Sequence, residues 1–243
     1  RHPLVRSAVY RAAGPAERRE AHRALAEATD ARSDPDRRAW HLAAAAAEPD
    51  EAVADELARS ADRAQARGGI AASAAFLERA AELTPDPSRR RGRALAAARA
   101  KYLAGAFDDA LELLNVAEMG ALDDLQHAQA SLLRGQITFG SRSAGATVPL
   151  LLTAAREFDP LDAGIARETY RDAFYAALTA GRLSSGPGLE EVARAARSAP
   201  PTAHPGPTDL FLDGLALATT DGYAAGAPIL RRALNTLRCD GLT

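Results

Sequence analysis

Two adjacent carboxylates and a third close behind, Asp108-Asp109-Ala110-Leu111-Glu112, come nearest to metal-dependent chemistry, because acids so spaced can bridge magnesium to a diphosphate. A second acidic cluster would have to close that clamp, and Asp123-Asp124 lacks the third acid. The run reads better as a first helical turn, where each carboxylate meets the positive end of the helix dipole and contributes about 0.3–1 kcal/mol. His22, His41, His127 and His204 show no ligand spacing of the His-Glu-x-x-His kind and read as surface or turn groups. Cys239 is the single cysteine, which excludes an internal disulfide framework and a cysteine-built zinc site, and no catalytic role is assigned to it. A phosphate loop needs a lysine directly after glycine. Of the 30 basic residues only Lys101 is a lysine, and it comes after Arg99 and Ala100 inside a helical pattern, so the chain has no Walker A motif. Arg89-Arg90-Arg91-Gly92-Arg93 lies just after Asp86 and spreads around more than one helical face, which reads as a solvated helix start. The chain is therefore read as non-catalytic, with no metal and no cofactor of its own.

The elements that carry these residues are read as helices throughout. Alanine supplies 60 of the 243 residues and aromatics only 5 %, so the core must be built from thin side chains that let backbones approach closely. Alanine has the highest helix propensity and is depleted in strands. No apolar run approaches the roughly 20 residues of a bilayer span, and no charged start leading into an apolar core marks a leader, so a cytoplasmic location without membrane contact is expected. Net charge is −2, divided as +3 over residues 1–100 (18 bases, 15 acids) and −5 over 101–243 (12 bases, 17 acids). Neither part has the excess of bases a DNA-contacting surface needs.

The first 48 residues divide into three short helices. Pro3 suits a first turn, and Leu4, Val5, Ala8, Val9 and Ala12 form one stripe before Gly14-Pro15. Pro15 opens a second helix through Ala21, Leu25 and Ala28. Asp34 caps a third from Pro35, which carries Trp40 and His41 into the run Ala43 to Ala47. Pro49 ends it, and Asp50 can cap the next helix. From residue 50 the chain reads as helix pairs, each turned at glycine: Gly68-Gly69, Gly105, the looser stretch from Gly140 to Ser143, Gly181 and Gly222. Spacings from Gly69 are 36, 35, 41 and 41 residues, a period that signals stacked supersecondary repeats. First helices are expected near 52–67, 89–104, 123–139, 162–180 and 207–221, and second helices near 70–83, 107–118, 146–158, 188–198 and 223–237. Pro-rich breaks fall at 84–87, 199–201 and 205–207.

The second helices share a pattern. Ile70-x-x-Ser73-x-x-x-Leu77-x-x-Ala80 is repeated as Phe107-x-x-Ala110-x-x-x-Leu114-x-x-Ala117 and as Tyr223-x-x-Gly226-x-x-x-Leu230-x-x-Ala233, with Ala61, Ala98 and Gly214 on the preceding helices. This spacing resembles the tetratricopeptide repeat, in degenerate form; the third and fourth pairs depart from it. The opening segments Arg1-His2-Pro3-Leu4-Val5-Arg6-Ser7-Ala8-Val9-Tyr10 and Pro15 to Ala26, with Trp40-His41-Leu42, are similar to the end of the winged helix in the large ATP-binding regulators of the LuxR family. These belong to the signal-transducing AAA-like ATPases. That resemblance implies an all-α chain: a winged-helix remnant over residues 1–48, then a tetratricopeptide-like superhelix of about five helix pairs over 50–243, cut short at its C-terminus.

In such regulators an ATPase module precedes this region and a DNA-binding helix-turn-helix comes after it. With no initiating methionine and no terminating signal after Arg238, the chain reads as a piece excised from one. The resemblance implies a sensor or scaffold role in bacterial transcription, with a protein, peptide or small-molecule inducer on the concave face and self-association possible. ATP or ADP belongs to the missing ATPase module. There His2, in its His-Pro-Leu context, would read the nucleotide diphosphate in the intact parent only. Tetratricopeptide geometry assigns Asp62, Gln65, Arg99 and Tyr102 to the concave partner-binding face. The alternative is a stand-alone tetratricopeptide adaptor that binds a partner peptide and has no link to transcription.

Overall fold

A computed structural model describes residues 8, 10–140, 144–181, 187–203 and 205–240. His2, His204, most of the first expected helix, residues 141–143 and the side chain of Cys239 lie outside the described residues. The described chain contains helices and no strand, and consecutive helices pack against one another in adjacent pairs. It forms two compact units, residues 1–121 and 122–243.

Unit 1 holds α1 (Pro15–Ala28), α2 (Pro35–Ala45), α3 (Glu51–Ala66), α4 (Ile70–Leu83), α5 (Pro87–Leu103) and α6 (Phe107–Glu118). Their starts are set locally. Asp34, Asp50 and Asp86 accept hydrogen bonds from the otherwise unpaired amides of Arg37, of Ala52 and Val53, and of Arg89. Pro15, Pro35 and Pro87 occupy first-turn positions, where proline loses no hydrogen bond. Gly68 and Gly105 turn α3 into α4 and α5 into α6 at φ of 76° and 78°, in the left-handed region that a side chain disfavours. Ala39, Ala43, Ala54, Leu57, Ala80 and Leu83 form one buried cluster across α2, α3 and α4. Ala98, Ala110, Leu114 and Ala117 are buried where α5 meets α6.

Unit 2 holds α7 (Asp124–Gly140), α8 (Ala144–Phe158), α9 (Ala163–Ala180), α10 (Leu189–Ser198), α11 (Pro207–Thr220) and α12 (Tyr223–Asp240). The central α9 packs against α8, α10 and α11. Its buried residues are bulkier: Tyr170 and Phe174 join Val148, Leu152, Val192 and Leu212 in the main cluster. Elsewhere the backbones come closer than alanine allows. A Cβ on Gly226 would collide with the carbonyl oxygen of Gly214, whereas one on Gly135 would lie 2.6 Å from a side-chain methyl carbon of Leu151. The third pair, expected to depart from the repeat pattern, keeps its register: Gly135 follows Ala98 by 37 residues, as Ala98 follows Ala61, and Leu151 follows Leu114 by the same step.

Candidate functional site

Three of the four residues assigned to partner binding stand on open surface. Asp62 and Gln65 are exposed on α3, and Arg99 is exposed on α5. Tyr102 is half-buried, and its ring lies 5.9 Å from that of Phe107 at the start of α6. None of the four makes a side-chain hydrogen bond or ion pair among the described residues, so all four retain free polar groups.

The arginine run at the start of α5, expected as a solvated helix start, is solvated only in part: Arg89 is exposed, but it and Arg93 are paired. Arg89 and Arg93 reach back to Glu51 and Asp55 on α3: Arg89 to Glu51 at 2.8 Å and to Asp55 at 3.1 Å, Arg93 to Glu51 at 2.8 Å and to Asp55. Arg90 donates to the carbonyl oxygens of Thr84 and Pro85. Arg89 and Arg93 thus join one helix pair to the next, while Arg90 ties α5 to the loop before it. Lys101 likewise bridges Glu78 (2.8 Å) and Asp109 (3.0 Å), which occupies one member of the acidic run. Among the described residues no three His, Cys, Asp or Glu side chains converge to hold a metal ion.

Two features are not apparent from linear spacing. His22 on α1 and His41 on α2, read from the sequence as separate surface or turn groups, share a hydrogen bond between their Nδ1 atoms at 3.0 Å. The Tyr10 hydroxyl adds a bond to His22 Nε2 at 3.1 Å. One Nδ1 carries the proton and the other accepts it, and a proton on both would set two N–H groups against each other. Burial lowers the pKa of His41 below its ordinary value, and the charges of His22 and Arg37 act the same way against the opposing Asp34.

The second is a cleft of about 350 Å³ in unit 2. Arg156 in the last turn of α8 and Asp159 just beyond it form one wall, Tyr170 of α9 the floor, and Glu191, Arg194 and Ser198 of α10 the opposite wall. Phe158, fully buried, anchors the turn, and its carbonyl oxygen accepts from the amides of Leu161 and Asp162. The buried Tyr170 donates its hydroxyl proton to Asp159 Oδ2 at 3.0 Å. Asp159 Oδ1 is shielded from solvent and accepts from no described residue. Burial raises the pKa of the Asp159 carboxyl, against the lowering effects of Tyr170 and Arg156, while burial and the adjacent carboxylate push the Tyr170 phenol far up. Three helices contribute, with spacings of 11 residues from Asp159 to Tyr170 and 21 from Tyr170 to Glu191, and no linear motif encodes such a set. The one local signal is Asp159-Pro160 directly after a helix ending in a large apolar residue.

Comparison with known proteins adds no relative: no protein-family model matches the chain, and no curated protein matches it at a significant level. Among the described residues no helix is long and apolar enough to cross a membrane.

Proposed function

We propose that this chain is the non-catalytic sensor and scaffold region of a bacterial LuxR-family ATP-dependent transcriptional regulator. Residues 1–48 are the end of a winged helix and residues 50–243 a tetratricopeptide-like arm. The observation that supports the reading best is the periodic turn: four of the expected glycines, Gly68, Gly105, Gly181 and Gly222, adopt positive φ, and each ends the first helix of a pair. Ion pairs linking first helices of successive pairs, from α3 to α5 and from α9 to α11, agree with it. In a repeat of this kind each unit touches its neighbours, so a small change at one interface is passed along the array. A partner or inducer bound to the arm would bias nucleotide exchange and self-assembly of the ATPase module. Asp62, Gln65, Arg99 and Tyr102 are the free polar groups offered to a protein or peptide partner.

The reading frame around this segment tests the proposal. It requires an upstream Gly-x-x-x-x-Gly-Lys-Ser/Thr and a downstream helix-turn-helix; a start codon immediately before Arg1 and a stop codon immediately after Thr243 would replace it with the stand-alone adaptor. In the regulator, Asp62→Arg and Arg99→Glu should alter inducer-dependent transcription while leaving the helical circular dichroism unchanged. The chain alone should show no saturable binding of labelled ATP at micromolar concentration.

A further inference from the structure

We infer that the His22–His41 contact is a proton-operated latch: α1 docks on α2 while both imidazoles are neutral and is released when the pair takes up a further proton. The latch does not depend on the regulator reading, and a flanking frame without an ATPase leaves it intact.

The two rings have satisfied positions for two hydrogens and no more. His22 Nδ1 and His41 Nδ1 stand 3.0 Å apart, so one hydrogen lies between them. His22 Nε2 is 3.1 Å from the Tyr10 hydroxyl, which can accept from it. His41 Nε2 is buried and has no hydrogen-bond partner among the described residues. A buried acceptor without a partner is tolerated more readily than a buried N–H without one, which assigns the hydrogens of the neutral pair to His41 Nδ1 and His22 Nε2. A third hydrogen on His22 Nδ1 would face the N–H of His41. If the shared hydrogen instead passes to His22, the third sits on His41 Nε2 as an N–H without an acceptor. The pair therefore gains a proton only by losing its own hydrogen bond or stranding a buried donor, and separation of the rings relieves both.

The surrounding helices supply cations. Before and on α1, Arg18 lies 5.5 Å over the Tyr10 ring. On α2, Arg37 opposes a charge on His41, and Asp34, which caps the Arg37 amide, favours it. Toward α2, α3 presents Arg63 and Arg67, both bonded to Asp36, and α4 presents Arg79, which holds Glu82 and donates to the Ala43 carbonyl oxygen. Burial, then the charges of His22 and Arg37, keep the His41 pKa below its ordinary 6.5. Docking is therefore strongest above pH 6.5 and weakens by up to about tenfold per pH unit from there down to the folded value. The element set free is α1. It packs on α2 and fully buries one residue, Ala26. By contrast, α2 is held by the cluster around Ala39 and Ala43 and by the bonds to α3 and α4. With so little apolar area behind it, α1 is the helix that a lost side-chain bond can release.

Amide hydrogen exchange of the 243-residue chain at about pH 7.5 and about pH 5, corrected for the intrinsic rate, tests the latch. Protection in α1 should fall by at least about fivefold at the lower pH, while α2 and α3 change by less than about twofold. His22→Gln combined with His41→Gln should abolish this pH dependence, whatever level of α1 protection remains. A chain whose α1 never docks would give the same flat profile, so nitrogen NMR of the wild-type rings supplies a second reading. At about pH 7.5 the hydrogens should be on His41 Nδ1 and His22 Nε2, and proton uptake by His41 should coincide with the loss of α1 protection. The latch is overturned by equal α1 protection at both pH values, by a fall shared with α2 and α3, or by a fall that the double variant retains. The opposite tautomers, or a protonated His41 with α1 still protected, overturn it as well.

Discussion

Each unit joins the first helices of successive pairs by arginine–carboxylate contacts, but with opposite polarity and at different depth. In unit 1 the acids Glu51 and Asp55 lie on the earlier helix and the arginines on the later one; the Arg89 side chain is 54 % exposed and that of Arg93 13 %. In unit 2 the arginine lies on the earlier helix. Arg167, only 7 % exposed, donates to Asp209 and Asp213 of α11 at 2.6 and 2.5 Å, and also to the Asp209 carbonyl oxygen. Asp209 serves twice, since its second oxygen accepts from the Gly206 amide and fixes the start of α11. The two links thus share a place in the helix pairs but not a charge order, and depth decides how much each contact matters. A surface pair gains little after screening and loss of side-chain freedom, whereas breaking a desolvated one strands charge where water is scarce.

The largest effect separating the units should come from Arg167→Ala. It should cost about 3 kcal/mol in urea denaturation, because Asp209 remains in a largely desolvated place without its partner. Hydrogen exchange should rise first in α9 and α11; exchange unchanged there would show that the depth argument fails. Gly226→Ala comes next, at about 2 kcal/mol, since the new methyl group would overlap the Gly214 carbonyl oxygen, a backbone atom that can yield only by separating α11 from α12. Acid should then distinguish the units by sign. For His41, whose folded pKa is depressed, the unfolded chain takes up the proton first. Stability contributed by the α1–α2 contact is therefore full above pH 6.5 and falls as pH drops from there to the folded value. For Asp159, whose folded pKa is raised above 3.8, the folded form holds the proton more tightly, and this contribution falls as pH rises through the folded value. Urea midpoints of wild type and His41→Gln compared as pH falls from about 7.5 through 6.5 should show the variant flattening the acid loss, and those of wild type and Asp159→Asn compared as pH falls toward 3.8 should show that variant flattening an acid gain. The smallest effect should be that of Arg89→Ala, about 0.5 kcal/mol and further reduced by salt, because Arg93 keeps the same two acids occupied.

The features legible along the chain are those that depend on neighbours in sequence. Helix positions fall within about three residues of those expected, because alanine propensity, proline at first turns and aspartate caps act over one or two turns. Asp34 and Asp50 cap as expected for that reason, and the glycine turns are legible because positive φ excludes most other residues. The free surface positions Asp62, Gln65 and Arg99 are reached through repeat geometry, which locates a helical face without saying what meets it. Packing decided the rest. The arginine run from Arg89 defeats a linear reading because its acids lie 34 to 42 residues away, and whether a basic residue is solvated or paired depends on which helix stands opposite. The His22–His41 contact and the Asp159–Tyr170 cleft are invisible in the sequence for the same reason. Burial, shared protons and orphaned acceptors arise only where separate helices close on one another, and a local code of propensities and caps carries no record of those distances.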